Sequence, residues 1–203
     1  HSILKLFCSD VPGDPMSYTA GFATDEEIVW ITAGNLNWNG SSDHIVENVL
    51  AKLQELSKNC FTASIGVGSP VKGMGRVPAS YREAGAAAKK QFYHGVSKVY
   101  YFHGFNASHL EVDQALYDEF KDLLKADNWE EASDVIKKFK KSVEAAEDDD
   151  INFVKNVYFN LLTFIIETAR EHDLGDPAIE NEKSYIWQQI ESISTLSELS
   201  EYL

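Results

Sequence analysis

Cysteine is almost absent from this chain of 203 residues: there are two, Cys8 and Cys60. They form no C-x-x-C pair and no metal-ligand spacing, which excludes a disulfide framework and a zinc ribbon. Both suit small apolar fillers in a reducing cytoplasm. Basic residues are also few, 18 Lys and Arg against 32 Asp and Glu, for a net charge of −14. A surface of that sign repels phosphate backbones unless a local patch overrides it. The densest patch, Lys137, Lys138, Lys140 and Lys141, lies on the flank of one amphipathic helix among acids and reads as a solvated face. No uninterrupted apolar run is long enough to span a bilayer. The best stretch, Ile151 to Ala169, is broken by Asn152, Lys155, Asn156 and Asn160. The segment is expected to make no membrane contact and to be cytoplasmic.

Catalytic signatures are missing as well. The six histidines are scattered, without an H-E-x-x-H pattern, so no metal site is expected. Ser64 lacks the glycine two residues before it that a nucleophile elbow needs. Gly73, Gly75 and Arg76 do not supply the Lys-Ser/Thr of a phosphate loop, and Val71 stands where a dinucleotide fingerprint needs its third glycine. No catalytic residue and no cofactor is assigned. The glycines have a structural use instead. Gly66 and Gly68 lie within or at the end of a strand, where they permit a bend or a close backbone approach. The alanines from Ala84 to Ala88 allow a helix to lie close to its sheet.

Ordinary globular material makes up the rest, with 44% apolar and 25% charged residues. Tyr18 to Ala33 predicts two strands around a turn at Thr24-Asp25-Glu26. A helix follows from Ser42 or Asp43 to about Lys58, then a strand from Phe61 to Val67. Next comes a helix from about Pro78 to Phe92, with Ser80 and Glu83 at capping-box spacing, and a strand from Val99 to Phe102. After Phe105 only helical periodicity remains. A helix over about 108–125 is followed by one capped by Asp127 or Asn128. Glu144 to Asp150 reads as a solvated loop. A long, almost wholly apolar helix spans Ile151 to Glu171, and a further helix carries Tyr185 and Trp187. Thr195 with Glu198 then forms a capping box before the last helix. The fold class is therefore α+β, with a mixed sheet and packed helices over residues 1–103 and an all-α module over residues 104–203. Tyr185 and Trp187 are the candidate partner surface, since an excess of exposed aromatic side chains marks a contact face.

One resemblance is carried by order rather than by any single motif. "TASIGVGS", a loop, and then "SYREAGAAAKKQFYHGVSKVYYF" resemble the C-terminal half of a GGDEF-type, ferredoxin-like domain, and are closest to degenerate versions in bacterial AraC/XylS-type, YesN-like transcription regulators. "LLKADNWEEASDVIKKF" and "TLSELSEYL" are similar to the helical linker of those regulators. The resemblance implies a non-catalytic signal-transmitting fragment that lacks the first strand of its α/β module. It implies an upstream receiver or sensor domain, a homodimer, and DNA contact only through a separate C-terminal domain. The family's signature turn falls on Ala23, Thr24, Asp25, Glu26 and Glu27, where only the central acidic pair survives. Thr24 places a side chain where active cyclases leave room for the nucleotide. Asp25 and Glu26 thus read as a solvated hairpin turn. The alternative is a vestigial metal and guanine-nucleotide pocket that acts as a sensor.

Overall fold

The computed structural model describes residues 17–24, 27–34, 41–57, 61–105, 109–172 and 182–203. They fall into two compact units. One comprises the residues up to Ala88 together with Ser97–Phe102; the other comprises Lys89–Val96 and His103–Leu203. Cys8 and Cys60 lie outside the described residues.

The first unit opens with strands β1 (Ser17–Phe22) and β2 (Ile28–Ala33), an antiparallel pair in register from Ser17 opposite Ala33 to Phe22 opposite Ile28. The turn between them is closed by the Ala23 amide donating to the Glu27 carbonyl at 2.8 Å. Helix α1 (Ser41–Ser57) buries Val46, Val49, Leu50 and Leu53, a stripe at spacings of three and four. Val49 and Leu53 meet Ala20, Ile28 and Trp30 of the hairpin, together with Ala63 and Ile65. Strand β3 (Ile65–Val67) pairs in parallel with β4 (Val99–Tyr101), and helix α2 (Val77–Lys89) lies in the crossover that parallel pairing requires. The β-rich run from Phe61 forms a ladder only from Ile65, because β4 offers three residues to pair with; Phe61 is exposed. Antiparallel and parallel pairing both occur, each in its own two-stranded sheet among the described residues.

The second unit is helical. It takes in α3 (Gln91–His94), α4 (Gln114–Lys125), α5 (Trp129–Ala146), α6 (Ile151–Glu171), α7 (Glu182–Ser192) and α8 (Leu196–Tyr202). The helix predicted to run on to Phe92 breaks at Lys90, and α3 ends at Gly95 (φ 92°), whose amide closes onto the Gln91 carbonyl. The start predicted near residue 108 falls later, at Asp113, whose carboxylate accepts from the Ala115 amide. Asn128 caps α5 and Asp150 caps α6. One core joins Phe92, Phe120, Leu124, Val135, Phe139, Val143, Val154, Tyr158, Leu161, Ile190 and Leu199. Tyr117 sets its ring edge-on to Phe139 and Phe164. Lys155 is buried on α6. It donates to the Glu191 carbonyl at 2.7 Å and so ties α6 to the last turn of α7.

Candidate functional site

The glycines of the first unit answer the main question raised by the sequence. A Cβ added at Gly66 would run into the Ala84 carbonyl and come within 2.6 Å of the Ala88 amide. At Gly68 it would meet the Ser80 carbonyl. The space beside both glycines is thus occupied by the backbone of α2. The glycine positions are a helix-on-strand contact, and the small Ala84 and Ala88 make that contact possible. Gly73 has a different role, since its φ of 82° turns the chain ahead of α2 with open space around it.

The same corner uses Ser80 and Glu83 in a way that the capping-box spacing did not foresee. Helix α2 starts at Val77, which places both residues inside it. Ser80 donates to the Ser69 carbonyl at 2.8 Å, and Glu83 accepts from the Ser69 amide at 2.9 Å. The pair therefore satisfies both backbone groups of Ser69, the residue directly after Gly68. The Glu83 carboxyl is held below its ordinary pKa by this hydrogen bonding.

The signature turn is described only at its flanks. Ala23, Thr24 and Glu27 are exposed, and Asp25 and Glu26 lie outside the described residues. Glu27 accepts at 3.0 Å from the phenol of Tyr81 on α2, which raises the pKa of that phenol. Tyr81 thus ties the hairpin turn to α2.

Residues 16–89 match the family model of the GGDEF-like domain. The GGDEF-like domain so defined takes in β1, β2, α1, β3 and α2, less than half of the chain. No curated protein and no solved structure matches the chain.

The helical unit holds a cleft of about 310 Å³ lined by Lys89, Lys90, Tyr93, His103, Phe105 and the acidic run Glu147–Asp149. That run was expected to be a solvated loop. Instead Asp148 is buried, with its carboxylate accepting from the Leu110 amide at 2.7 Å and the Asp150 amide at 2.8 Å. Burial alone would raise its pKa, but the two amides and His109 outweigh burial and hold it low. Tyr93 donates to the Asp148 carbonyl at 2.7 Å and Lys89 to the Asp149 carbonyl at 3.1 Å, while His94 meets Glu147 at 2.9 Å. Burial, and then the four acids from Glu147 to Asp150, push the Tyr93 phenol well up, so it stays a donor. The sequence did carry one sign of this order, an Asp placed to cap the apolar helix that follows.

Tyr185 is exposed on α7, whereas Trp187 packs against the helical core with its ring edge-on to Phe159 at 5.4 Å. Of the basic patch, Lys137, Lys138 and Lys140 each meet an acid: Asp134, Glu119 and Glu144. Among the described residues no cluster of His, Cys, Asp or Glu could hold a metal ion, and no helix is long and apolar enough to cross a membrane.

Proposed function

We propose that this chain is a non-catalytic, signal-transmitting portion of a bacterial AraC-type transcription regulator. In this reading it works in the cytoplasm as a homodimer. Input arrives from an upstream receiver or sensor domain, and DNA is gripped by a separate domain. Support comes from the GGDEF-like match at residues 16–89 and from the linker-like helical segments that follow it. The observation that carries the non-catalytic part is the use of Gly66 and Gly68: their free space is filled by α2 backbone and is not available to a phosphate. Thr24 adds a side chain at the turn where an active cyclase keeps glycine. Transmission then means a change of helix packing between two states only a few kcal/mol apart.

A second reading is favoured by the family match itself: the hairpin turn retains guanine-nucleotide binding as a sensor without turnover. Calorimetry and product analysis with GTP and magnesium separate the readings. No heat and no cyclic product is the expected result. Heat without product establishes the sensor, and product formation overturns both. Footprinting of the parent protein on its own promoter tests the regulator class, and a parent protein that protects no DNA would sink it.

A further inference from the structure

The cleft beside the α5–α6 joint is held by one set of polar groups and lined by another. Its lining comes from three segments of the helical unit, 89–93, 103–105 and 147–149. The joint itself is already clamped. The Asp148 carboxylate accepts from the Leu110 and Asp150 amides, while the Tyr93 phenol and the Lys89 ammonium donate to the Asp148 and Asp149 carbonyls. That clamping fixes the cleft in advance and lowers the ordering cost of binding. Among the described residues, three lining groups are left without a hydrogen-bond or ion-pair partner: the Lys90 ammonium, the His103 imidazole and the Asp149 carboxylate. Lys90 and Asp149 are partly buried, which strengthens their field over that of fully solvated charges. Phe105, 64% exposed, adds an aromatic ring to the same lining.

We propose that this cleft binds a free α-amino acid with an apolar or aromatic side chain, taken as the zwitterion. Charge selects the class. The lining carries two lysines and three carboxylates. A bare anion such as phosphate meets the acids, and a bare cation such as a polyamine meets the lysines. A molecule that bears both charges a short distance apart is matched by both. Lys90 and His103 take its carboxylate, Asp149 takes its ammonium, and its side chain lies against Phe105. The volume of about 310 Å³ is at the lower end of ligand sites, which run from about 300 to 1,000 Å³, and suits a ligand of this size. The bound molecule joins the start of α3, residues 103–105 and the α5–α6 joint, so it acts as a cross-link within the helical unit. It is an input made by the chain itself, beyond the one assigned to an upstream domain. Neither inference needs the other, since this one is tested without DNA or nucleotide.

An NMR titration of the whole chain with L-phenylalanine is the test. Saturable shifts are expected at the amides of Lys90, His103 to Phe105 and Glu147 to Asp149, with a dissociation constant of about 10 µM to 1 mM for so open a site. N-acetylphenylalanine keeps the carboxylate and loses the ammonium, whereas phenethylamine keeps the ammonium and loses the carboxylate. Each should bind at least tenfold more weakly than the amino acid. Lys90→Gln and Asp149→Asn should each weaken L-phenylalanine at least fivefold and leave the melting temperature of the ligand-free chain unchanged. Phe105→Ser should weaken L-phenylalanine more than L-alanine. No saturable shift with L-phenylalanine, L-leucine or L-tyrosine up to about 10 mM would overturn the proposal. Equal binding by the N-acetyl compound or by phenethylamine would do the same, by making the cleft a simple anion or cation site. Shifts that saturate but cluster elsewhere would also sink it. The ligand series runs on the wild-type chain, so it decides the matter even where a variant fails to fold.

Discussion

Gly66 on β3 and Gly85 on α2 make opposite predictions. The missing side chain at Gly66 is replaced by the backbone of α2, with the Ala88 amide 2.6 Å from where a Cβ would stand. Gly66→Ala must push helix and strand apart and should cost about 1–3 kcal/mol, the range of an overpacked core. Gly85 sits inside α2 with nothing within 4 Å of its Cβ position. Gly85→Ala removes backbone freedom from the unfolded chain and should stabilise by about 0.5–1 kcal/mol. Urea denaturation of both variants checks the pair, and equal signs would show that the α2–β3 contact is not what holds Gly66. Asp148 gives a pH-dependent case. Its folded pKa is depressed, so its contribution is complete above the unfolded carboxylate value of about 3.9 and is lost as pH falls through the folded value. Asp148→Asn should be less stable than wild type at pH 7 by roughly 1–3 kcal/mol, because amide donors from Leu110 and Asp150 lose a charged acceptor. That gap should narrow as the pH drops below about 4. A gap of constant size down to pH 3 would mean that shape, not charge, is what the site needs.

Individual elements were legible in proportion to how local their causes are. Thr195 and Glu198 form the reciprocal box that their spacing predicts, with the Glu198 amide donating to Thr195 and the Glu198 carboxylate accepting from the Thr195 amide, both at 3.2 Å. Thr195→Ala should therefore cost about 1 kcal/mol, read as faster hydrogen exchange in α8 with α5 unaffected. Ser80 and Glu83 carry the same spacing, yet they serve Ser69, more than ten residues upstream. Nothing local distinguishes the two cases, since the second depends on a tertiary neighbour that no spacing records. The acidic run is similar. Composition alone makes Glu147–Asp150 a solvated loop, but Asp148 finds the Leu110 amide 38 residues away. Along α5 the buried residues Ala132, Val135, Phe139 and Val143 recur at three and four, because burial on a helix repeats with the helical turn, whereas α6, almost wholly apolar in sequence, still exposes Asn152, Phe153, Asn156 and Asn160. Trp129, at the first helical position of α5, stays exposed. For the candidate site, the reason for Gly66 and Gly68 was readable as a close backbone approach. The tie from Tyr81 to Glu27 was not, since it joins residues 54 apart.

On the scale of the whole molecule, the chain does not pass once from one unit to the other. Lys89–Val96 belongs with the helical unit, although the residues on both sides of it belong with the first. The physical reason is visible in that segment. Phe92 is 2% exposed inside the helical core, Tyr93 donates to the Asp148 carbonyl, and His94 meets Glu147. A boundary drawn where strand pattern gives way to helix pattern, between residues 103 and 104, removes all three from the helices they support. Two shortened chains test this. One that begins at Lys89 keeps the core whole, whereas one that begins at Phe105 loses Phe92 and leaves the polar groups of Asp148 and Glu147 without those partners. Losing a buried Phe alone costs about 3–5 kcal/mol. Total stability of a domain is only about 5–15 kcal/mol. The shorter chain should therefore show a lower melting temperature and dye-binding apolar surface, and the longer one a cooperative transition. Restoring a peptide of residues 89–96 in trans should recover part of the difference only if Phe92 is present. Equal melting temperatures for the two chains would mean that the helical unit closes its core without α3.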